Sequence, residues 1–317
     1  MQQRGNTGGA VAALQGRGRR EGRWLVVGEA DLQAVAGEWG IPVRELICLG
    51  LAAGTVPARF LRNMGVMGAE GQLRLLDAQA TVIGLGGAGG LVAETLARAG
   101  VGTLVLVDRD VFEESNLNRQ LLASSSTIGR SKAEVAGERI RDVNPHTRVV
   151  ARRQALTPET ARSLLEEPFG ATKRNRVVVD CLDSGRDRLI LQRGCRELGL
   201  PLVHAAVSGW QGRVTLIMPN RPGLEHFYED ADLPTGDEIL AAGVAPPVPL
   251  IVAAWEAGVA LRVLLGDASA AGHVFTYDVA TGHAISVPFG LARMSAAWWR
   301  RRKKPAPSTG SQSAPQP

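Results

Sequence analysis

The sequence predicts an α/β protein built on a doubly wound, mostly parallel sheet, with a small N-terminal helical extension. Three observations carry that reading. From Gly71 onward, short apolar runs alternate with stretches of helical periodicity, the order that places helices on both faces of a parallel sheet. One of those runs leads into Gly84-Leu85-Gly86-Gly87-Ala88-Gly89, which then opens a helix. Finally, 317 residues that are 45% hydrophobic and 21% charged can bury a sizeable core, which excludes disorder throughout.

The elements follow in order. Residues 24–58 read as a helical element: a short helix around Asp31 to Glu38, a break at Gly40-Ile41-Pro42, and a second helix from Val43 to about Ala53. Two short helices around a turn can read DNA. The second one carries only Arg44 as a cation and runs into Leu46-Ile47-Cys48-Leu49, so a packing or docking role is expected instead. Residues 59–299 form the main domain. Strands are expected at Thr81–Ile83, Thr103–Val107, Arg148–Arg152, Arg176–Cys181, Pro201–Val207 and Arg213–Met218. Helices fall at Leu91–Ala99, at Lys132–Val143 before Asn144-Pro145, near Asp187–Leu198 and at Leu250–Leu265. A hairpin over Val274–Val287 turns at Thr281-Gly282, and a long Pro-, Gly- and Asp-rich connection spans Asn220 to Pro247.

The net charge of +5 is carried by the ends. Residues 1–23 are at +4 and residues 300–317 at +5, which leaves 24–299 at −4. Both ends lack apolar periodicity and read as disordered basic tails, solubilising extensions rather than nucleic-acid binders. Glu256 and Arg262 interrupt the longest apolar stretch, so no membrane span is expected, and no signal peptide is legible. The three cysteines, Cys48, Cys181 and Cys195, have no CxxC spacing, which speaks against disulfides and a cysteine-rich zinc site. A cytoplasmic location is the expectation.

Glycines in the 84–89 loop let backbone N–H groups approach phosphate oxygens, and the following helix N-terminus adds partial positive charge. Asp108, at the end of the next strand, stands where a carboxylate accepts from ribose hydroxyls. Alone, this fingerprint would point to an NAD-dependent dehydrogenase. The run Asp108-Arg109-Asp110 through Ser115-Asn116-Leu117-Asn118-Arg119-Gln120 changes that, because a triphosphate-cleaving site needs fixed cations and amide donors for departing pyrophosphate. Lys132, at the start of the next helix, can reach the same phosphates. Asp183, after the strand ending at Asp180-Cys181, is a candidate magnesium carboxylate and equally a helix N-cap.

These residues, with Ala99-Gly100-Val101-Gly102, Ile128-Gly129-x-x-Lys132 and Asn144-Pro145, resemble the ThiF/MoeB/HesA family, relatives of ubiquitin-activating enzymes, over about Arg59 to Gly266. The resemblance implies a Rossmann-like domain that dimerises and uses ATP to adenylate the C-terminal glycine of a small ubiquitin-like sulfur carrier ending in Gly-Gly. It further implies that Gly84, Gly86, Gly87 and Gly89 cradle phosphate and that Asp108 binds ribose. Asp110, Ser115 and Gln120 would complete the ATP site; Asn116, Arg119 and Lys132 would contact the phosphates, and Asp183 would hold magnesium. Arg59-Phe60-Leu61-Arg62-Asn63 looks like the family segment whose second arginine enters the partner subunit's ATP site, so Arg62 becomes a catalytic residue supplied in trans.

The departures matter too. Many relatives bind zinc through two CxxC pairs, and this chain reads His226-Phe227-Tyr228-Glu229-Asp230 where one would stand, so zinc is not expected. No cysteine occurs between Glu225 and Ala242, where relatives that form a thioester or persulfide place one, so a separate sulfur donor protein is implied. Two other readings compete: an enzyme like the tRNA threonylcarbamoyladenosine dehydratases, and a nonenzymatic carrier-binding scaffold. The sulfur so carried would serve thiamine, molybdenum or tungsten cofactor, or another sulfur-containing metabolite.

Overall fold

In the computed structural model, which describes residues 2–166, 175–228 and 243–289, the chain opens with helix α1 (Gln2–Gly16). Strands β1 (Arg19–Glu21) and β2 (Trp24–Val27), helices α2 (Glu29–Trp39) and α3 (Val43–Ala52), and strand β3 (Thr55–Pro57) follow. The expectation of a disordered tail over residues 1–23 is therefore corrected. Helix α1 buries Ala10 and Leu14 in a cluster with Val35, Leu46, Ile47, Val56 and Phe60. Its closest approach explains a glycine: a Cβ on Gly9 would stand 2.3 Å from the Trp39 ring. Residues 24–58 are also not purely helical, because β2 pairs parallel with β3 and antiparallel with β1 in a three-stranded sheet. The tail over residues 300–317 lies outside the described residues.

The main body runs through α4 (Gly68–Leu76), β4 (Gln79–Ile83), α5 (Gly89–Ala99), β5 (Thr103–Val107), α6 (Lys132–Val143), β6 (Arg148–Arg152) and α7 (Pro158–Glu166). It continues with β7 (Arg176–Asp180), α8 (Gly185–Leu198), β8 (Leu202–Ser208), β9 (Gln211–Ile217), α9 (Pro247–Leu264), β10 (His273–Asp278) and β11 (His283–Pro288). The eight strands β4 to β11 form one sheet in the order β11-β10-β9-β8-β7-β4-β5-β6. Pairing is parallel from β6 to β8 and antiparallel from β8 to β11.

Every residue of β4, β5 and β7 is buried, which is why these strands read as continuous Val, Ile and Leu runs. Helices α5, α6 and α9 cover one face, through Val92, Leu96, Ile140, Val252 and Ala257 among others. Helices α7 and α8 cover the other, through Leu164, Leu165, Leu189 and Leu191. Helix α9 is long and apolar enough to cross a membrane by composition alone, yet half of it is buried inside the fold, Glu256 included.

Strand order fixes where a ligand can enter. From β4 the chain moves outward through β5 to β6, then returns to place β7 on the other flank of β4. The loops after β4 and β7 thus leave the sheet towards opposite sides, and a crevice opens between them at the carboxyl ends of the strands.

Candidate active site

Two glycines close the floor of that crevice. Gly84 has φ of +89°, and a Cβ there would lie 2.6 Å from the Cys181 carbonyl oxygen. A Cβ on Gly89 would lie 1.8 Å from the Gly84 carbonyl oxygen, so helix α5 meets the loop only through glycine. No side chain caps α5. Its first N–H groups therefore face the crevice as donors for an anion.

A cleft of about 280 Å³ occupies this position. Among its walls are Gly84, Gly86, Gly87, Asp108, Asp110, Arg119, Gln120, Lys132 and Asp183, nine of the thirteen site residues expected from the sequence. Asp108 ends the strand next to the loop and grips it: Oδ2 accepts the Leu85 N–H at 2.7 Å and Oδ1 the Asp110 N–H at 2.8 Å. Burial raises the Asp108 carboxyl above its ordinary range, against the pull of those two N–H groups and of Lys132. Lys132 opens α6 behind the capping hydroxyl of Ser131. Its Nζ stands 3.8 Å from Asp110 Oδ2, and its backbone N–H donates to the Asp110 carbonyl at 3.0 Å. Half-buried Arg119 donates through Nη1 to the Ser115 carbonyl and to Asn118 Oδ1, at 3.0 and 2.9 Å. Gln120 is buried beneath Gly86, and its Oε1 has no hydrogen-bond partner.

Four expected residues fall elsewhere. Gly89 packs at the base of the loop rather than lining the cleft. Asn116 is spent on a capping box: its Oδ1 accepts the Glu113 N–H at 3.1 Å, and the Glu113 side chain accepts the N–H of Asn116. Ser115 is exposed, and its hydroxyl accepts from Asn116 Nδ2 at 3.3 Å. These two shape the turn that carries Arg119 and Gln120. Arg62 is exposed on the 3-10 turn Ala58–Asn63, outside its own chain's cleft. The neighbouring Arg59 ties that turn down through Asn144 Oδ1 and Glu29 Oε2, both at 3.0 Å.

Asp183 does not cap α8. Ser184 does, its hydroxyl accepting the Asp187 N–H at 3.3 Å, which leaves the exposed Asp183 carboxylate to the cleft. Asp187 and Arg188 line the same wall. The sequence reading did not include them, although Arg186-Asp187-Arg188 is a conspicuous run of charge just after Asp183. Hard carboxylate oxygens facing a phosphate-sized cleft fit magnesium, which is commonly held by one or two carboxylates plus phosphates and water. Among the described residues, no three His, Cys, Asp or Glu side chains converge as a metal cage. Glu229, Asp230 and the side chain of His226 lie outside the described residues.

Behind the cleft lies a buried polar network that the sequence reading missed altogether. Asp180, His204, Arg188 and Tyr228 are each less than a tenth exposed and hydrogen-bonded in series. Glu256 is fully buried on α9. Burial, with Asp180 close by, drives its carboxyl well above the ordinary range. Burial raises all three thiols, Cys48 least, and Cys181 donates to Glu256 Oε2 at 3.4 Å.

A glycine loop at a parallel-sheet switch point, facing fixed cations and a free carboxylate, defines a Rossmann-like nucleotide-binding enzyme. The ThiF family model matches residues 60–295. The chain belongs to the ThiF family and is an E1-like adenylyltransferase. It is 34% identical over 228 residues to the SAMP-activating enzyme E1 of Haloferax volcanii, covering 71% of this chain and 82% of that one. To the sulfur carrier protein ThiS adenylyltransferase of Escherichia coli it is 35% identical over 211 residues, 66% of this chain and 81% of the relative. Among solved structures, the E. coli tRNA N6-threonylcarbamoyladenosine dehydratase TcdA in complex with ATP superimposes with a TM-score of 0.55 at 25% identity. That match covers 67% of this chain and 95% of TcdA.

Proposed function

We propose that this enzyme uses ATP to adenylate the C-terminal glycine carboxylate of a small ubiquitin-like sulfur-carrier protein, releasing pyrophosphate. The observation that carries the reading is the meeting of the 84–89 loop, Asp108, Arg119, Lys132 and Asp183 on one cleft. The two relatives, a SAMP-activating enzyme and a ThiS adenylyltransferase, support the substrate class. ATP as the nucleotide is supported by the TcdA complex.

The chemistry needs no general base. A C-terminal carboxylate has an unperturbed pKa of roughly 3.3–3.7, so at neutral pH it is already the nucleophile. Its oxygen attacks the α-phosphorus, the bond to the bridging oxygen breaks, and pyrophosphate leaves with the electron pair. The protein's work is alignment and charge stabilisation. Loop N–H groups and Gly86 and Gly87 hold the phosphates, Asp108 the ribose, and Arg119 and Lys132 the departing pyrophosphate. Asp183 would hold magnesium, which supplies charge neutralisation on the phosphates when bound. Arg62, exposed and outside its own cleft, serves the partner's cleft in a homodimer.

With no cysteine between Glu225 and Ala242, the chain stops at the acyl-adenylate, and a separate protein in the cytoplasm delivers sulfur for a thiamine- or molybdenum-type cofactor. The test is ATP–pyrophosphate exchange with purified carriers ending in Gly-Gly. Exchange that needs the carrier and is lost in Arg119→Ala supports the reading; undiminished exchange in that variant overturns it. The match to TcdA keeps one second reading, activation of a carboxylate on tRNA, which ATP turnover dependent on tRNA rather than on a carrier would favour.

A further inference from the structure

We propose that Tyr228 and His204 are positioning residues for nucleotide activation, acting through Arg188 on the loop that carries Asp183. The proposal rests on the reading above, in which Asp183 holds magnesium at the phosphates.

The hydrogen bonds form a closed circuit on one residue. Strand β7 ends at Asp180, and the next three residues lead into α8. The Leu182 carbonyl accepts from Arg188 twice, from Nε at 3.1 Å and from Nη2. The remaining arm of the guanidinium, Nη1, donates to Tyr228 Oη at 2.8 Å. Tyr228 Oη lies 3.3 Å from His204 Nε2, and His204 Nδ1 lies 2.7 Å from Asp180 Oδ2. Asp180 Oδ1 returns to the start by accepting the Leu182 N–H at 3.1 Å. Both backbone polar groups of Leu182 are thus set by the circuit, and Asp183 is the next residue.

A guanidinium can only donate, so Tyr228 Oη accepts from Arg188. With the phenolic proton turned to His204 Nε2, Nδ1–H donates to Asp180. Neutral imidazole meets both demands, and burial holds His204 below its ordinary range against the opposing pull of Asp180. Packing alone does not account for this set, because buried ions stabilise poorly against apolar isosteres while fixing geometry well. Tyr228 itself does not line the cleft, whereas Arg188, which it touches, does.

Isothermal titration of the full chain with ATP, in magnesium chloride and in EDTA, tests this. Magnesium is expected to tighten ATP binding in the parent protein, and Asp183→Asn to remove that gain. Tyr228→Phe keeps the ring and deletes the hydroxyl. It is expected to lose three- to tenfold of the magnesium-dependent gain, to keep metal-free ATP affinity within twofold, and to add nothing in the Asp183→Asn background. An intact gain in Tyr228→Phe, or equal weakening with and without magnesium, overturns the proposal. A full gain surviving Asp183→Asn overturns instead the magnesium reading beneath it. Should Tyr228→Phe not fold, His204→Asn carries the same test, because it keeps a donor towards Asp180 while removing the acceptor for Tyr228.

Discussion

Asp108→Asn is the perturbation whose outcome can be worked most fully from the geometry. Each carboxylate oxygen of Asp108 has its own backbone donor, Leu85 N–H at 2.7 Å and Asp110 N–H at 2.8 Å. Asparagine offers a single acceptor oxygen. Whichever way its amide turns, one N–H of the phosphate loop or of the 109–110 turn faces an NH₂ group. Leu85 is fully buried, so no water takes over its donor. Losing a hydrogen bond to a charged acceptor under these conditions costs about 1.5–3 kcal/mol, equivalent to roughly 10- to 150-fold in an equilibrium constant. Thermal denaturation should show a Tm lower by roughly 2–5 °C. Titration calorimetry should show ATP affinity reduced by at least tenfold, while Asp110→Asn, whose side chain bonds no loop N–H, stays closer to the parent in stability. An Asp108→Asn protein with unchanged Tm and ATP affinity within twofold would refute the idea that this carboxylate holds the loop in register.

Other substitutions probe separate links. Gly89→Ala places a methyl 1.8 Å from the Gly84 carbonyl oxygen and should destabilise by about 1–3 kcal/mol in urea titrations while abolishing ATP binding. Arg119→Ala should fold with parental circular dichroism yet lower the exchange rate by roughly 10²- to 10³-fold, the scale of deleting one oxyanion-type donor. Glu29 fastens α2 to the main body through His146 Nε2 at 2.9 Å and Arg59 at 3.0 Å. Burial acts to raise its carboxyl, but the hydrogen bonds from His146 and Gln33 prevail and hold it below 4.5. A depressed carboxyl stabilises above its unfolded pKa and ceases to as pH falls through the folded one. Protection of α1 to α3 in hydrogen exchange should accordingly fall below about pH 4.5, by well under 1 kcal/mol given partial exposure, and Glu29→Gln should flatten that dependence.

How much of this was legible follows from where the signals sit. The 84–89 loop was readable because strand, glycines and helix are contiguous; Asp108 and Lys132 adjoin a strand end and a helix start, and Arg119 belongs to the polar run that follows Asp108. Helix α1 was not, because Gln2–Gly16 is rich in Gly and Gln and owes its burial to Trp39 and Leu51 rather than to its own pattern. The hairpin β10–β11 was expected, but the antiparallel pairing of β9 with β8 and with β10 escaped, because an apolar run such as Arg213–Met218 announces a strand but not its direction. The network behind the cleft was least accessible. His204 and Glu256 read as lone polar residues in apolar runs, and their partners Asp180 and Cys181 lie 24 and 75 residues away. Ser115 and Asn116 belong to the right motif, but the structure spends them on the turn rather than on the cleft wall.

The most direct measurement is exchange of labelled pyrophosphate into ATP by the purified enzyme, using one small ubiquitin-like protein ending in Gly-Gly prepared with either a free or an amidated C-terminus. Label should enter ATP only with the free carboxylate. Equal incorporation with the amide, or release of ADP and phosphate in place of pyrophosphate, would contradict carboxylate adenylation.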